Sequence, residues 1–371
     1  MIVAGESSGE LYGARLTEEL KRLIPDLRLF GIGGARMEEA GVELLHRCEN
    51  LAVVGLSEAL TKLPEVIKAQ RKLLKRGKGK PPAGVVLIDF PDFNLHLARK
   101  LKPLKIPIIY YISPQVWAWR PARIKQIAQL VDRMLVILPF EEEIYRQAGL
   151  KAEFVGHPLV DMVKSDLSRE EFCQKYQIQL QKPIISFLPG SRDREVKSLL
   201  SPMLQSIPLI KCSIEAHFLL QLADSIDRIM VDKLIGSLKP DIDIIQGDAY
   251  NVMKNSDILV LASGTAALEA ALLGTPMVVV YRLSKPTYIL GRLMVKIKNI
   301  SLVNILAGKQ VVAELLQSRV KGENIASEVL KIWQNARIRE EMKSSFRAIK
   351  DSLGNSGASA RAAKSIAEMI R

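Results

Sequence analysis

Short, continuous apolar runs, each ending in glycine or small polar residues, most constrain what this chain can fold into. Met1-Ile2-Val3-Ala4 leads into Gly5-Glu6-Ser7-Ser8-Gly9 and then a helical stretch carrying Leu11, Leu16, Leu20 and Leu23. Residues 27–32 form a second run that ends at Gly33-Gly34. Val85-Val86-Leu87-Ile88, residues 106–112 and residues 134–138 follow. Strands that are apolar along their whole length belong in a parallel sheet covered on both faces, and the intervening helical stretches supply the crossovers. The pattern restarts at Pro183-Ile184-Ile185-Ser186-Phe187-Leu188 and continues through residues 217–221, 242–245, 258–261 and 277–281. Two open α/β sheets are therefore expected, in keeping with a length of 371 residues, which exceeds most single cores. The boundary is placed near residue 160, where Gly156-His157-Pro158 interrupts the pattern. The expected division is 1–160, 161–336 and a helical tail over 337–371, broken at Gly354-Asn355-Ser356-Gly357. The absence of a short-period repeat excludes a solenoid. The first run is short, four residues with Met1 against about five or six for an ordinary strand. Either residues are missing before it or the strand is unusually short.

Charge narrows the partners. Lys and Arg total 53 against 40 Asp and Glu, a net charge of +13. Such a balance favours nucleic acid, phosphorylated metabolites or anionic lipid. Aromatic residues are only 5%, too sparse for a single-strand stacking platform, so nucleic acid is not expected. Cys48, Cys173 and Cys212 have neither disulfide-framework nor zinc spacing, and a reducing cytoplasm fits them. No signal peptide or bilayer-spanning run is read, so any membrane contact is expected to be peripheral. Residues 62–80 and 282–298 interleave apolar and basic side chains. Each is either a core helix with a solvated basic face or a surface that lies on anionic lipid. Their joint occurrence favours an anionic membrane surface.

Ligands of open α/β sheets bind at the carboxyl ends of strands, where strand order reverses. Leu261-Ala262-Ser263-Gly264-Thr265 carries a buried strand into a helix through small residues that let backbone N–H groups approach a phosphate. Glu269, one turn further, is placed to accept from ribose hydroxyls. The alternative is an ordinary helix start capped by Ser263 or Thr265. Pro189-Gly190-Ser191-Arg192 has the same context, with Arg192 as a pyrophosphate donor or as part of a solvated charge run. Gly5-Glu6-Ser7-Ser8-Gly9 lacks the spacing of a dinucleotide site and suits a sugar hydroxyl or a phosphate. Asp89, the first polar residue after a buried run, is a candidate general base, whereas Asp92 is read as structural, a helix cap. Trp117 and Arg120 either line a sugar or acyl pocket or fill a packing plug. His157 is a hinge residue or a ligand contact. No His, Cys and carboxylate cluster has metal spacing, so neither a metal nor a cofactor is expected.

These residues also carry a resemblance. The stretches are Val3 to Glu10, Ile88-Asp89-Phe90-Pro91-Asp92-Phe93-Asn94, Tyr111 to Arg120 with Trp117-Ala118-Trp119-Arg120, Leu138-Pro139-Phe140-Glu141, Phe154-Val155-Gly156-His157-Pro158, Leu188 to Arg192, Ala262 to Glu269 and Ser301 to Gly308. In them the chain resembles the lipid-A-disaccharide synthases, glycosyltransferase family 19, from end to end and in the expected order. The resemblance implies a GT-B fold, two Rossmann-like domains facing each other across a cleft. It implies an inverting hexosyltransferase that joins UDP-2,3-diacylglucosamine to 2,3-diacylglucosamine 1-phosphate, giving UDP and a β-1,6-linked lipid A disaccharide 1-phosphate. Asp89 matches the family's base, and Glu6, Ser8, Arg192 and Asn304 match other functionally important positions. On this reading Ser191, Arg192, Ser263, Gly264, Thr265, Glu269 and Asn304 serve the donor. Glu6, Ser8, Gly9, Trp117 and Arg120 serve the acceptor or the cleft. Members are peripheral membrane proteins, here on the inner face of the bacterial inner membrane, and a homodimer with exchanged C-terminal segments is open to them. The chain departs from the family at its start and at Lys78-Gly79-Lys80-Pro81-Pro82-Ala83. The competing readings are an isomerase of the UDP-N-acetylglucosamine 2-epimerase kind and a nucleotide-sugar-binding regulator without turnover.

Overall fold

The computed structural model describes residues 1–5, 7–48, 51, 56–236, 241–283 and 299–370, with backbone alone at 7, 56–62 and 119. They divide into two α/β units, one of residues 1–161 and 353–370 and one of residues 162–283 and 299–352.

The first unit is built on a seven-stranded parallel sheet. Its strands are β1 (Ile2–Ala4), β2 (Leu29–Gly33), β3 (Val42–Arg47), β4 (Val85–Ile88), β5 (Ile108–Tyr111), β6 (Arg133–Val136) and β7 (Ala152–Phe154). Their order is β3-β2-β1-β4-β5-β6-β7. β1 is three residues long yet central, and Ile2, Val3 and Ala4 are fully buried. The runs in β4 and β5 are buried along their whole length, as a two-sided cover requires. Sequence reading missed β3 and β7. Both are edge strands whose side chains are mostly half-buried or exposed, so neither carries a continuous apolar run.

The second unit repeats the plan with β8 (Ile184–Leu188), β9 (His217–Leu222), β10 (Asp243–Gln246), β11 (Ile258–Ala262), β12 (Met277–Tyr281) and β13 (Ala313–Leu316). This six-stranded parallel sheet has the order β10-β9-β8-β11-β12-β13. β13 is again an edge strand, interrupted by Glu314, and it too escaped the sequence pattern.

The C-terminal tail is divided between the units. Helix Ala336–Ser352 packs on helix Thr265–Leu273 in the second unit. Helix Ala358–Ile370 packs on helix Ser7–Leu23 in the first. The break between them has Gly354 at φ 82° and Gly357 at φ 90°, a left-handed backbone that glycine adopts without strain. Asp161 anchors the returning helix by accepting from the Gly357 amide at 2.8 Å and the Ala358 amide at 3.3 Å. Arg361 Nε donates to the Val155 carbonyl at 2.8 Å. Among the described residues no helix is long and apolar enough to cross a membrane.

Candidate active site

Strand order reverses between β1 and β4 in the first unit and between β8 and β11 in the second. The loops that follow these strands contain Gly5, Asp89, Ser191 and Ser263, so these residues fall at the two switch points, whereas Trp117 and Arg120 follow β5 and Asn304 follows β12.

In the first unit Asp89 and Phe90 are consecutive non-glycine residues in the left-handed region, at φ 44° and 48°. Such a conformation costs on the order of 1 kcal/mol per residue and persists only where its surroundings enforce it. Asn94, fully buried, donates from Nδ2 to the carbonyls of Ile88 at 3.2 Å and Asp89 at 2.7 Å. The Tyr110 hydroxyl donates to the same Asp89 carbonyl at 2.5 Å. Gly5 lies beneath the Phe90 ring, and a Cβ there would come within 2.2 Å of it. Gly9 packs between β1 and β4, with room for a Cβ only at 3.5 Å from Ile88 and 3.6 Å from Ala4. Ser8 is half-buried in the first turn of helix Ser7–Leu23. Glu6 lies outside the described residues.

The loop after β5 adds a buried polar cluster. Trp117, half-buried, donates its indole N–H to Glu141 Oε1 at 2.9 Å and meets Phe140 edge-on, with ring centroids 4.9 Å apart. Ser113 shares a 2.7 Å hydrogen bond with Tyr145. Glu141 is 1% exposed, and burial first of all, with the nearby Asp89 charge adding to it, pushes its carboxyl up to about 8. In the sequence Glu141 stands only as part of Leu138-Pro139-Phe140-Glu141, because a first-turn helix acid carries no sign of being buried. Arg120 is exposed, with Nη1 3.9 Å from Asp92. Asp92 pairs with Arg123 at 2.5 Å and caps nothing, since the cap position of its helix is Phe90. His157 is 3% exposed, its Nδ1 accepts from the Leu159 amide at 3.1 Å, and burial pushes its pKa down to about 3. It is held as an internal acceptor.

In the second unit neither Ser263 nor Thr265 caps the helix Thr265–Leu273. The cap position is Gly264, in extended backbone with no side-chain cap bond. Gly264 and Thr265 are exposed, Ser263 is half-buried, and nothing lies within 4 Å of where a Gly264 Cβ would stand. Capping by Ser263 or Thr265 is therefore not what starts this helix. Tyr250 donates to Glu269 Oε1 at 3.3 Å, and burial raises the Glu269 pKa. Across the switch point Gly190 stands at φ 117°, and a Cβ there would meet Glu195 Oε2 at 2.3 Å. Glu195 folds back to accept from the Ser191 amide at 3.2 Å and to pair with Arg192 at 3.3 Å. Arg192 remains half-exposed at the head of helix Asp193–Lys211.

Asn304 is elsewhere engaged. It is fully buried, accepts from the Val311 amide at 2.7 Å and the Val312 amide at 2.9 Å, and donates to the Val312 carbonyl at 3.0 Å and Glu314 at 2.7 Å. Its side chain staples the segment before β13. Of the basic segment 282–298, residues 284–298 lie outside the described residues. Arg282 itself donates to the carbonyls of Ser198 at 3.0 Å and Val320 at 2.6 Å, an internal staple. The other segment lies in helix Leu56–Gly79, where Leu63 and Ile67 are 50% and 40% exposed. They line a groove of about 580 Å³ with Pro64, Lys68, Arg71 and Lys75. Among the described residues no group of His, Cys, Asp and Glu is arranged to hold a metal ion.

Comparison with known proteins joins these observations. Residues 1–370 match the family model described as lipid-A-disaccharide synthetase. The lipid-A-disaccharide synthase of Syntrophus aciditrophicus (strain SB) is 43% identical over 373 residues, covering 100% of this chain and 97% of the relative. That of Myxococcus xanthus (strain DK1622) is 42% identical over 372 residues with the same coverage. Among solved structures, MnaA of S. aureus with UDP aligns at a TM-score of 0.68 and 14% identity, covering 99% of this chain and 95% of that one. The calicheamicin glycosyltransferase CalG4 aligns at 0.61 and 16%, covering 99% and 96%. At such identities these structures speak to the fold alone, two parallel-sheet α/β units of the GT-B class. The match over residues 1–370 and the relatives above 40% identity decide the family: the chain belongs to the lipid-A-disaccharide synthetases.

Proposed function

We propose that the protein is an inverting glycosyltransferase that condenses UDP-2,3-diacylglucosamine with 2,3-diacylglucosamine 1-phosphate. The products are lipid A disaccharide 1-phosphate and UDP. The observation that carries the chemistry is Asp89, held in a left-handed backbone at a switch point by Asn94 and Tyr110. Its carboxylate takes the proton of the acceptor 6-hydroxyl as that oxygen bonds to the anomeric carbon. The bond from that carbon to the diphosphate breaks on the opposite face, which inverts the centre. Arg192 and the open helix start at Thr265 stabilise the departing diphosphate, with Ser191, Ser263 and Gly264 shaping its seat and Glu269 accepting from the ribose. Asn304 acts through the loop it staples. Ser8 and Gly9, with Trp117 and Arg120, border the acceptor. An epimerase is not favoured, because likeness to epimerases of known structure stops at the fold, at 14% identity.

The exposed apolar ridge of helix Leu56–Gly79, flanked by Lys68, Arg71 and Lys75, supports docking on an anionic membrane surface. Two acylated substrates give a peripheral enzyme on the inner face of the inner membrane a reason to bind there. A homodimer with exchanged C-terminal segments would reuse the Asp161 and Arg361 anchors.

The test is UDP release in the presence of both substrates. Release should require donor and acceptor together, and Asp89→Asn should lower turnover by about 100-fold or more while UDP still binds. Release from the donor alone would mean hydrolysis, and unchanged turnover would remove Asp89 from the role of base. Leu63→Ser with Ile67→Ser should reduce co-sedimentation with anionic vesicles, and undiminished sedimentation would reject the docking surface.

A further inference from the structure

Glu141 has no part in the chemistry above, yet its placement is costly. It lies in the first turn of helix Pro139–Gln147, 1% exposed, and among the described residues it makes no ion pair. A buried carboxyl without a cation is normally replaced by an apolar side chain unless its hydrogen bonds serve something. Those bonds are specific. Oε1 accepts the Trp117 indole N–H at 2.9 Å, Oε2 accepts the Leu138 amide at 3.3 Å, and Ser113 and Asp89 face the same carboxyl. Phe140, the preceding residue, meets the Trp117 ring edge-on at 89°. One short helix turn thus fixes both the edge and the tilt of the indole. Trp117 follows β5 and Asp89 follows β4, and these strands are neighbours.

We propose that Glu141 is a positioning residue that locks the Trp117 indole as a wall of the acceptor pocket beside Asp89. A pyranose ring, with its C–H face, is the ligand chemistry such a wall takes. The inference rests on reading the Asp89 side as the acceptor side.

Full-length Glu141→Ala, Glu141→Gln, Trp117→Phe and the double variant Glu141→Ala with Trp117→Phe are compared by steady-state kinetics with each substrate varied in turn. Glu141→Ala and Trp117→Phe should each raise the acceptor KM about tenfold and leave the donor KM unchanged, as loss of one hydrogen bond to a carboxyl predicts. The double variant should lose less than the product of the two single losses, because both changes remove the Glu141–Trp117 hydrogen bond. Glu141→Gln should restore the acceptor KM, since its amide oxygen still accepts the indole N–H. Additive losses, equal losses for both substrates, failure of the Gln variant to rescue, or a wild-type acceptor KM in Glu141→Ala would overturn the proposal. If Glu141→Ala does not fold by thermal melting, Trp117→Phe and Glu141→Gln decide it by the same criteria. Undiminished turnover by Asp89→Asn would refute the base assignment by itself, while the coupling between Glu141 and Trp117 is read from the acceptor KM whichever group is the base.

Discussion

The hydroxyl of Tyr110, in the middle of β5, donates to the backbone carbonyl of Asp89 at 2.5 Å, across to the end of the neighbouring strand. Tyr110 is fully buried, and burial, chiefly, raises its pKa, so the phenol stays a donor. The bond holds a left-handed residue in place. Tyr110→Phe should therefore cost about 1 kcal/mol of stability, since Asn94 still reaches the same carbonyl, and lower kcat about tenfold with UDP affinity unchanged. Urea unfolding and steady-state kinetics check this. An unaltered kcat would separate the backbone anchor from catalysis.

Gly5→Ala would place a Cβ 2.2 Å from the Phe90 ring, too close for either to stay. Displacing Phe90 disturbs the residue adjoining Asp89. The expected loss is about 1–3 kcal/mol of stability with a marked fall in turnover. A variant as stable and active as the parent would show that the ring moves freely.

Arg192→Ala should lower kcat/KM for the UDP donor about 100-fold and leave acceptor KM alone. Arg192→Lys should recover only part, since an ammonium lacks the planar fork. The Arg192 side chain is half-exposed at a helix head, so no folding defect is expected. Competition by UDP measures the donor arm directly, and equal affinity for UDP in the parent and the Ala variant would remove Arg192 from the donor site.

His157 predicts a pH dependence of stability. Its folded pKa is pushed down to about 3, while the unfolded value is near 6.5. Between these values the unfolded chain binds a proton that the folded chain refuses. The contribution of the neutral ring is thus complete above about pH 6.5 and is lost progressively as pH falls towards 3, on the order of 1 kcal/mol per pH unit. His157→Asn, which retains an acceptor for the Leu159 amide, should flatten the stability curve between pH 4 and 6. Urea midpoints across that range test it, and parallel curves would place the acid sensitivity elsewhere.

The buried strands were legible because a parallel sheet needs apolar side chains on both faces, and that demand is written residue by residue in β4, β5, β8, β11 and β12. The edge strands β3, β7 and β13 were not, because Glu43, Glu153 and Glu314 break their short apolar runs, whereas β10, also at an edge, was read from the isoleucines of residues 242–245. Asp89, Arg192 and the Ser263–Glu269 turn were legible as positions at strand ends, since strand, small turn and helix start are contiguous in the chain. Their family came from motif order, which is also a property of sequence.

Other features belonged to tertiary structure alone. The chain by itself determined two parallel α/β sheets and the polar residues at the ends of their strands, because burial of a strand is encoded locally. Only the fold decided that Glu141 is buried beneath Trp117, that Asn304 and Arg282 are staples, and that the last helix returns to the first unit through Asp161. In each case the same polar residue would be solvated in an isolated segment. Its role follows from which backbone groups a distant part of the chain leaves to be satisfied.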